Sequence, residues 1–221
     1  MKSKKNIPKV KSKIKTIFFD VGGVLALGKN SFWKNGKLIP SGVHLDVSEK
    51  LKISLDQYLE AIETLFAQSI EGKISEKQAI STISKKLKIT EGKLRKLYVW
   101  AYKRHLKQNK ILHKKALELK KLGYKIGILS DQWYLSEKAL ILKKVYNKFD
   151  LKIISCQVGY RKPNPKIYEI AIKRSESKPE EILFIDNQEW NIPPAKKLGM
   201  KTIHFQDNKQ LFQEKLWKKL F

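Results

Sequence analysis

The sequence predicts an α/β protein: a three-layer α/β/α core around a parallel sheet, with a helical segment inserted near its start. Three observations point to it. A run of β-branched and aromatic residues, Ile14 to Phe19, ends at Asp20 and a glycine pair, as a buried strand feeding a tight loop does. Residues 28 to 108 then carry helical spacing with almost no strand signal. From residue 109 onward strand and helix patterns alternate, which calls for mostly parallel strands joined by right-handed crossovers.

In chain order, residues 1 to 13 are lysine-rich and poor in large apolar side chains, which suits a flexible basic arm ahead of the fold. The strand from Ile14 follows, then a polar stretch with Gly and Pro up to about Val43. Ser54 to Ile70 places Leu55, Tyr58, Leu59, Ile62, Leu65 and Phe66 on one face, with Ser54 as N-cap. Ser75 to Leu87 opens with a Ser-Glu-Lys-Gln capping box, and Thr90 to Gln108 repeats the helical pattern. Residues 28 to 108 are therefore expected to be an all-helical subdomain, set into a core made of residues 14 to 27 and 109 to 221. In that second stretch Ile111 to Leu122 is a predicted helix, Tyr124 to Ser130 a strand, Leu135 to Tyr146 a helix and Leu151 to Ser155 a strand. Helix Pro165 to Arg174, strand Ile182 to Asp186, helix Ile192 to Leu198, strand Lys201 to Phe205 and a terminal helix complete it.

Apolar residues make up 42% of the 221 and are distributed throughout, as in a globular chain. Forty-seven Lys and Arg against 21 Asp and Glu give a formal charge of +26, a field that attracts polyanions. The lysines are spread over nearly every segment, however, and no nucleic-acid-binding motif accompanies them, so nucleic acid is a conceivable partner but not the favoured one. A single cysteine, Cys156, excludes an internal disulfide and fits a reducing cytoplasm. The apolar run Ile17 to Leu27 is interrupted by Asp20 and is too short to span a bilayer, so neither secretion nor a membrane anchor is expected from it.

In open α/β sheets the site lies beyond the carboxyl ends of the strands. Those ends deliver Asp20, Ser130, a loop carrying Lys162, and the pair Asp186-Asn187. One nucleophilic carboxylate, one hydroxyl donor, one cation and a second carboxylate are what a phosphoryl-handling site needs. Oxygen ligands from Asp20 and the 186-187 pair suit a hard cation such as Mg²⁺. The histidines 44, 105, 113 and 204 show no metal-ligand spacing, and Trp33, Trp100 and Trp133 fall in or near the insertion and the loop after Ser130, where packing is the commoner use of a tryptophan.

Four stretches, in order and on the expected elements, resemble the haloacid dehalogenase-like superfamily, in its subgroup with a helical cap inserted after the first motif. They are Phe18-Phe19-Asp20-Val21-Gly22-Gly23-Val24-Leu25, Ile128-Leu129-Ser130-Asp131, the run from Gly159 through Lys162 to Tyr168, and Phe184-Ile185-Asp186-Asn187 with the helix that follows to Gly199. The resemblance implies a Rossmann-like core and a Mg²⁺-dependent phosphatase acting on a small phosphorylated metabolite. Asp20 would form an aspartyl-phosphate, Ser130 and Lys162 would bind phosphoryl oxygens, and Mg²⁺ would sit between Asp20, the main-chain carbonyl of Gly22 and the Asp186-Asn187 turn.

Two positions depart from the family pattern. Phosphatases of the family usually carry a second Asp two residues after the nucleophile, where this chain has Gly22; a side-chain general acid contributes about 10²- to 10⁴-fold, so Gly22 favours good leaving groups or slow turnover. The second departure is Asn187 in place of a second acidic residue, which offers a carbonyl ligand without charge. Two other readings therefore stand beside the phosphatase: a catalytically weakened member that binds a partner or polyanion, and a metal-independent 2-haloacid dehalogenase in which Asp20 attacks carbon.

Overall fold

The computed structural model describes residues 12–28, 32–34, 37–39 and 42–221, so the basic arm expected over residues 1 to 13 lies, up to residue 11, outside the described residues. The chain opens with β1 (Thr16–Phe19) and β2 (Ala26–Leu27), passes β3 (Phe32–Lys34) and β4 (Lys37–Ile39), and enters helices α1 (Gly42–Leu51), α2 (Leu55–Ile70), α3 (Glu76–Lys86) and α4 (Glu91–His105). β5 (Lys107–Gln108) then leads to α5 (Lys110–Lys121), β6 (Lys125–Ser130), α6 (Tyr134–Leu140), α7 (Lys143–Tyr146), β7 (Leu151–Ile154), α8 (Ser155–Val158) and α9 (Pro165–Ser175). β8 (Ile182–Asp186), α10 (Ile192–Lys197), β9 (Lys201–His204), α11 (Asn208–Gln213) and α12 (Lys215–Lys218) finish the fold.

β7-β6-β1-β8-β9 form a five-stranded sheet, and every pairing in it is parallel. All four residues of β1 and all five of β8 are buried, as expected of strands covered by helices on both faces. Alternation along β1 divides the core: Phe18 packs with Leu129, Ile167, Tyr168 and Phe184 on one side, while Ile17 and Phe19 join the larger cluster on the other. That larger cluster continues into the insertion through Val43, Tyr58, Ile62, Ile83, Leu94 and Tyr98, so the inserted helices share apolar core with the sheet layer.

Local chemistry places the inserted helices. Ser54 and Gln57, and Ser75 and Gln78, form reciprocal capping boxes at the starts of α2 and α3, and the Thr90 side chain accepts from the Lys93 amide to start α4. Among the described residues no helix is long and apolar enough to cross a membrane.

The structure amends the expected elements at several points. Segment 28 to 108 is not purely helical: β3 and β4 pair as an antiparallel hairpin, and β2 pairs with β5 where the chain leaves and re-enters the sheet layer. The helix expected to run to Gln108 stops at His105 because Lys107 and Gln108 give their backbone to Leu27 and Ala26. The helix expected over Leu135 to Tyr146 breaks after Leu140, whose carbonyl accepts a hydrogen bond from Gln108 Nε2 at 3.1 Å. α8, closed by Gly159 at φ 83°, was not anticipated, and the terminal helix is split at Glu214.

Candidate active site

Three neighbouring strands end side by side and carry the expected groups. Phe19 lies opposite both Ile128 and Ile185, so Asp20, Ser130 and Asp186 emerge together from β1, β6 and β8. The Asp20 amide donates to the Ile185 carbonyl at 2.9 Å, tying the first loop to the last of these strands. From the loop between α8 and α9, Lys162 reaches beneath them and is only 4% exposed. Its Nζ is 3.0 Å from Asp20 Oδ1 and 2.5 Å from Asp186 Oδ2, and it donates to the Leu129 carbonyl at 3.2 Å. An ammonium has three donors, and all three are used, which fixes the charge in place.

Asp186 has both oxygens engaged: Oδ1 accepts from the Gln188 amide at 2.7 Å, and Oδ2 accepts from Lys162 and from Asn191 Nδ2 at 3.1 Å. That commitment makes it an anchor for Lys162 and a poor candidate for the cation ligand expected from the sequence. Ser130 accepts from Gln132 Nε2 at 2.9 Å and is hydrogen-bonded to the Asp20 carboxyl. Asp131, one residue beyond, accepts from the Lys162 amide at 3.0 Å.

Burial pushes the Asp20 carboxyl up to about 6; Lys162 opposes the rise and Asp186 adds to it. Burial likewise raises Asp131 to about 7 against the pull of Lys162. Lys162 itself is disfavoured as a cation by burial, but Asp186, Asp20 and Asp131 outweigh that and hold its pKa above the ordinary lysine value. Lys162 thus stays a permanent ammonium beside two carboxyls, Asp20 and Asp131, that titrate near neutrality.

A stability consequence follows for the metal-free protein. The folded-state pKa of Asp20 lies above its ordinary 3.8, so the folded protein binds more protons than the unfolded one between about pH 4 and pH 6, and this contribution to stability falls as pH rises through that window. Asparagine cannot ionise. The stability difference between Asp20→Asn and the wild type is therefore expected to move in the variant's favour from pH 4 to pH 6, by at most roughly 3 kcal/mol, and then to stay constant. Denaturant melts in EDTA at pH 4.5 and 7.5 measure this; an unchanged difference between the two would contradict it.

The residues present fit a hard cation. Asn187 Oδ1 is buried without a hydrogen-bond partner, and an orphaned buried oxygen calls for a cation or a water. The Asn187 amide lies against the nucleophile loop so closely that a Cβ on Gly23, at φ +87°, would be 2.3 Å from Nδ2, so only glycine permits this approach. Among the described residues no group of three His, Cys, Asp or Glu side chains is arranged to hold a metal. A cation here would have to draw instead on the Asp20 carboxylate, the Gly22 carbonyl and the Asn187 amide oxygen, all hard donors.

Asp20, Asp131, Lys162 and Asn191 open into a pocket of about 690 Å³ whose opposite wall comes from the insertion, through His44, Glu63, Phe66, Ile70 and Tyr102. Trp133 contributes from the core, packed edge-on against Phe66 at 5.2 Å and Tyr98 at 4.7 Å. Trp100 lies elsewhere, on the outer face of α4 between Lys50 and Arg104.

The model of the haloacid dehalogenase-like hydrolases matches residues 14–199 of the chain. The chain belongs to this family. Among curated relatives, the "Bifunctional epoxide hydrolase 2" of Sus scrofa is 33% identical over 104 residues, 45% of this chain and 19% of that protein. A "Glyceraldehyde 3-phosphate phosphatase" of Pyrococcus furiosus is 39% identical over 102 residues, 43% of this chain and 41% of that one. The matches thus span well under half of these relatives' own lengths. Solved structures resemble the whole fold: a predicted HAD-like family hydrolase from Porphyromonas gingivalis covers 92% of this chain and 100% of its own, at TM-score 0.72 and 22% identity. A HAD family enzyme from Bacteroides thetaiotaomicron, in complex with magnesium and inorganic phosphate, covers 90% of this chain and 100% of its own, at TM-score 0.67 and 21% identity. At such identity these likenesses speak for the fold alone.

Three pocket residues had no role assigned from the sequence. Asp131 stands in the second family motif, and its Ser-Asp context at a strand end reads as a turn cap. His44 has no ligand spacing, yet it is buried, faces the pocket and is pushed down to about 4 by burial. Trp190 lies on a 3₁₀ turn at the pocket mouth, 46% exposed. Only its tertiary position marks it.

Proposed function

We propose that the protein is a Mg²⁺-dependent phosphatase that forms an aspartyl-phosphate on Asp20, with residues 28 to 108 acting as the cap over a core of residues 14 to 27 and 109 to 221. The observation that carries it is the buried Asp20–Lys162–Asp186 array beside Ser130, at the carboxyl edge of three parallel strands. Phosphatases among the partial-length relatives support the same chemistry.

In this reading Lys162 holds the Asp20 carboxylate in place and, with Ser130, offers positive character to the phosphoryl oxygens. An Asp20 oxygen bonds to phosphorus as the ester P–O bond breaks, and the electron pair leaves on the departing oxygen. Water then cleaves the acyl phosphate, releasing orthophosphate and restoring the carboxylate. Asp186 positions Lys162, and the Gln188 amide and Asn191 position Asp186. Asp20, the Gly22 carbonyl and Asn187 Oδ1 would hold Mg²⁺, which would supply further charge neutralisation.

The test is phosphate release from acetyl phosphate and p-nitrophenyl phosphate by purified protein, with Mg²⁺ and with EDTA. Release that requires Mg²⁺ is expected. Halide release from 2-chloropropionate that EDTA leaves untouched, with no phosphate release, would replace the phosphatase by the dehalogenase.

A further inference from the structure

The wall facing the phosphoryl end of the pocket is built from aromatic rings whose polar atoms are already spent on one another. Trp133 Nε1 donates to the Tyr102 hydroxyl at 2.9 Å. Ser136 Oγ is occupied by the Trp133 backbone, accepting from its amide at 3.1 Å and donating to its carbonyl at 3.0 Å. On the insertion side, His44 Nδ1 is bonded to the Tyr58 hydroxyl at 3.0 Å, and Tyr58 is bonded in turn to Tyr98. Phe66 packs edge-on against both the His44 ring, at 5.4 Å, and Trp133, at 5.2 Å. Glu63 and Arg161 also line the pocket, but this aromatic cluster presents mostly ring carbon, and Trp190 adds another aromatic surface at the mouth. A sugar or glycerol moiety placed against these rings would lose water from its hydroxyls without gaining partners from them, whereas a flat apolar group would stack on the rings.

An independent observation agrees. Gly22, which lines the pocket beside Asp20, has no side chain with which to protonate a leaving oxygen. A leaving group that departs as a stabilised anion needs no such acid.

We infer that the pocket takes phosphate monoesters of aromatic or comparably flat, delocalised alcohols in preference to polyhydroxylated ones; this rests on the phosphatase reading above. The Asp20–phosphorus bond forms as the aryl–oxygen bond to phosphorus breaks. The electron pair leaves on the aryl oxygen, which takes its proton from solvent, and water later returns Asp20 and orthophosphate. The size of the pocket, about 690 Å³, is within the range that encloses a small organic ligand.

Binding has to be read apart from leaving-group chemistry, so the test uses phosphonates, which cannot be hydrolysed. Inhibition of acetyl phosphate hydrolysis is compared for naphthylmethylphosphonate and 3,4-dihydroxybutylphosphonate, which carry the same headgroup. The aryl compound is expected to inhibit at least about tenfold more tightly. Phe66→Ala and, separately, Trp190→Ala are expected to narrow that ratio while leaving inhibition by inorganic phosphate unchanged. Two variants guard against one that fails to fold. Equal inhibition by the two phosphonates, or tighter binding of the dihydroxy compound, overturns the inference while acetyl phosphate hydrolysis keeps the phosphatase reading. Absence of Asp20-dependent hydrolysis of acetyl phosphate overturns both.

Discussion

Asp20→Asn is expected to lower phosphate release at least about 10³-fold while the protein remains folded, because an amide is a far weaker nucleophile than a carboxylate of the same shape. The geometry makes this substitution unusually clean. Asp20 is 6% exposed and contacts Lys162 and Ser130, and an asparagine oxygen can keep one of these hydrogen bonds. Lys162 retains Asp186 and the Leu129 carbonyl. Phosphate release measured beside circular dichroism and a thermal melt separates lost chemistry from lost fold. A variant with a tenth of wild-type activity would sink the covalent mechanism.

Lys162→Met is expected to abolish activity and also to destabilise the protein, in contrast to Asp20→Asn. The substitution keeps the length of the side chain but leaves Asp20 and Asp186 facing each other without a cation, both buried. Removing one partner of a buried ion pair costs about 3–5 kcal/mol, or a fall in Tm of about 6–20 °C for a chain of this size. The loss should shrink as pH falls, since protonated carboxyls no longer repel one another. Melts at pH 7.5 and pH 5 measure both parts. A Tm within 2 °C of wild type at pH 7.5 would mean that the array is not held together by its charge.

The sheet and the residues at its edge were legible because continuous apolar runs such as Phe18-Phe19 and Ile182 to Ile185 announce parallel strands, and such strands point their ends at one crevice. Lys162 is the sharpest case. A lone lysine in a loop is ordinarily solvated, and only its order among the motifs singled it out. The pocket wall could not be read in the same way. His44, Phe66 and Trp190 come from α1, α2 and the turn after β8, and nothing in their local spacing tells a pocket-facing ring from a core-facing one. The β2–β5 pair leaves no trace in the sequence because two residues on each side carry no periodicity.

That same pair ties the base of the insertion. Ala26 and Leu27 are bonded to Gln108 and Lys107, and just beyond them Asn109 bonds to Leu25 and Val24 at 2.8 and 2.9 Å. The two chain crossings therefore stand one ladder spacing apart, about 5 Å. A segment grafted between Leu27 and Lys107 would have to meet that spacing and also match the apolar core that Val43, Tyr58 and Tyr98 share with the sheet layer. The insertion's share of the pocket wall thus hangs from one short ladder, while Trp133 and Trp190 stay with the core.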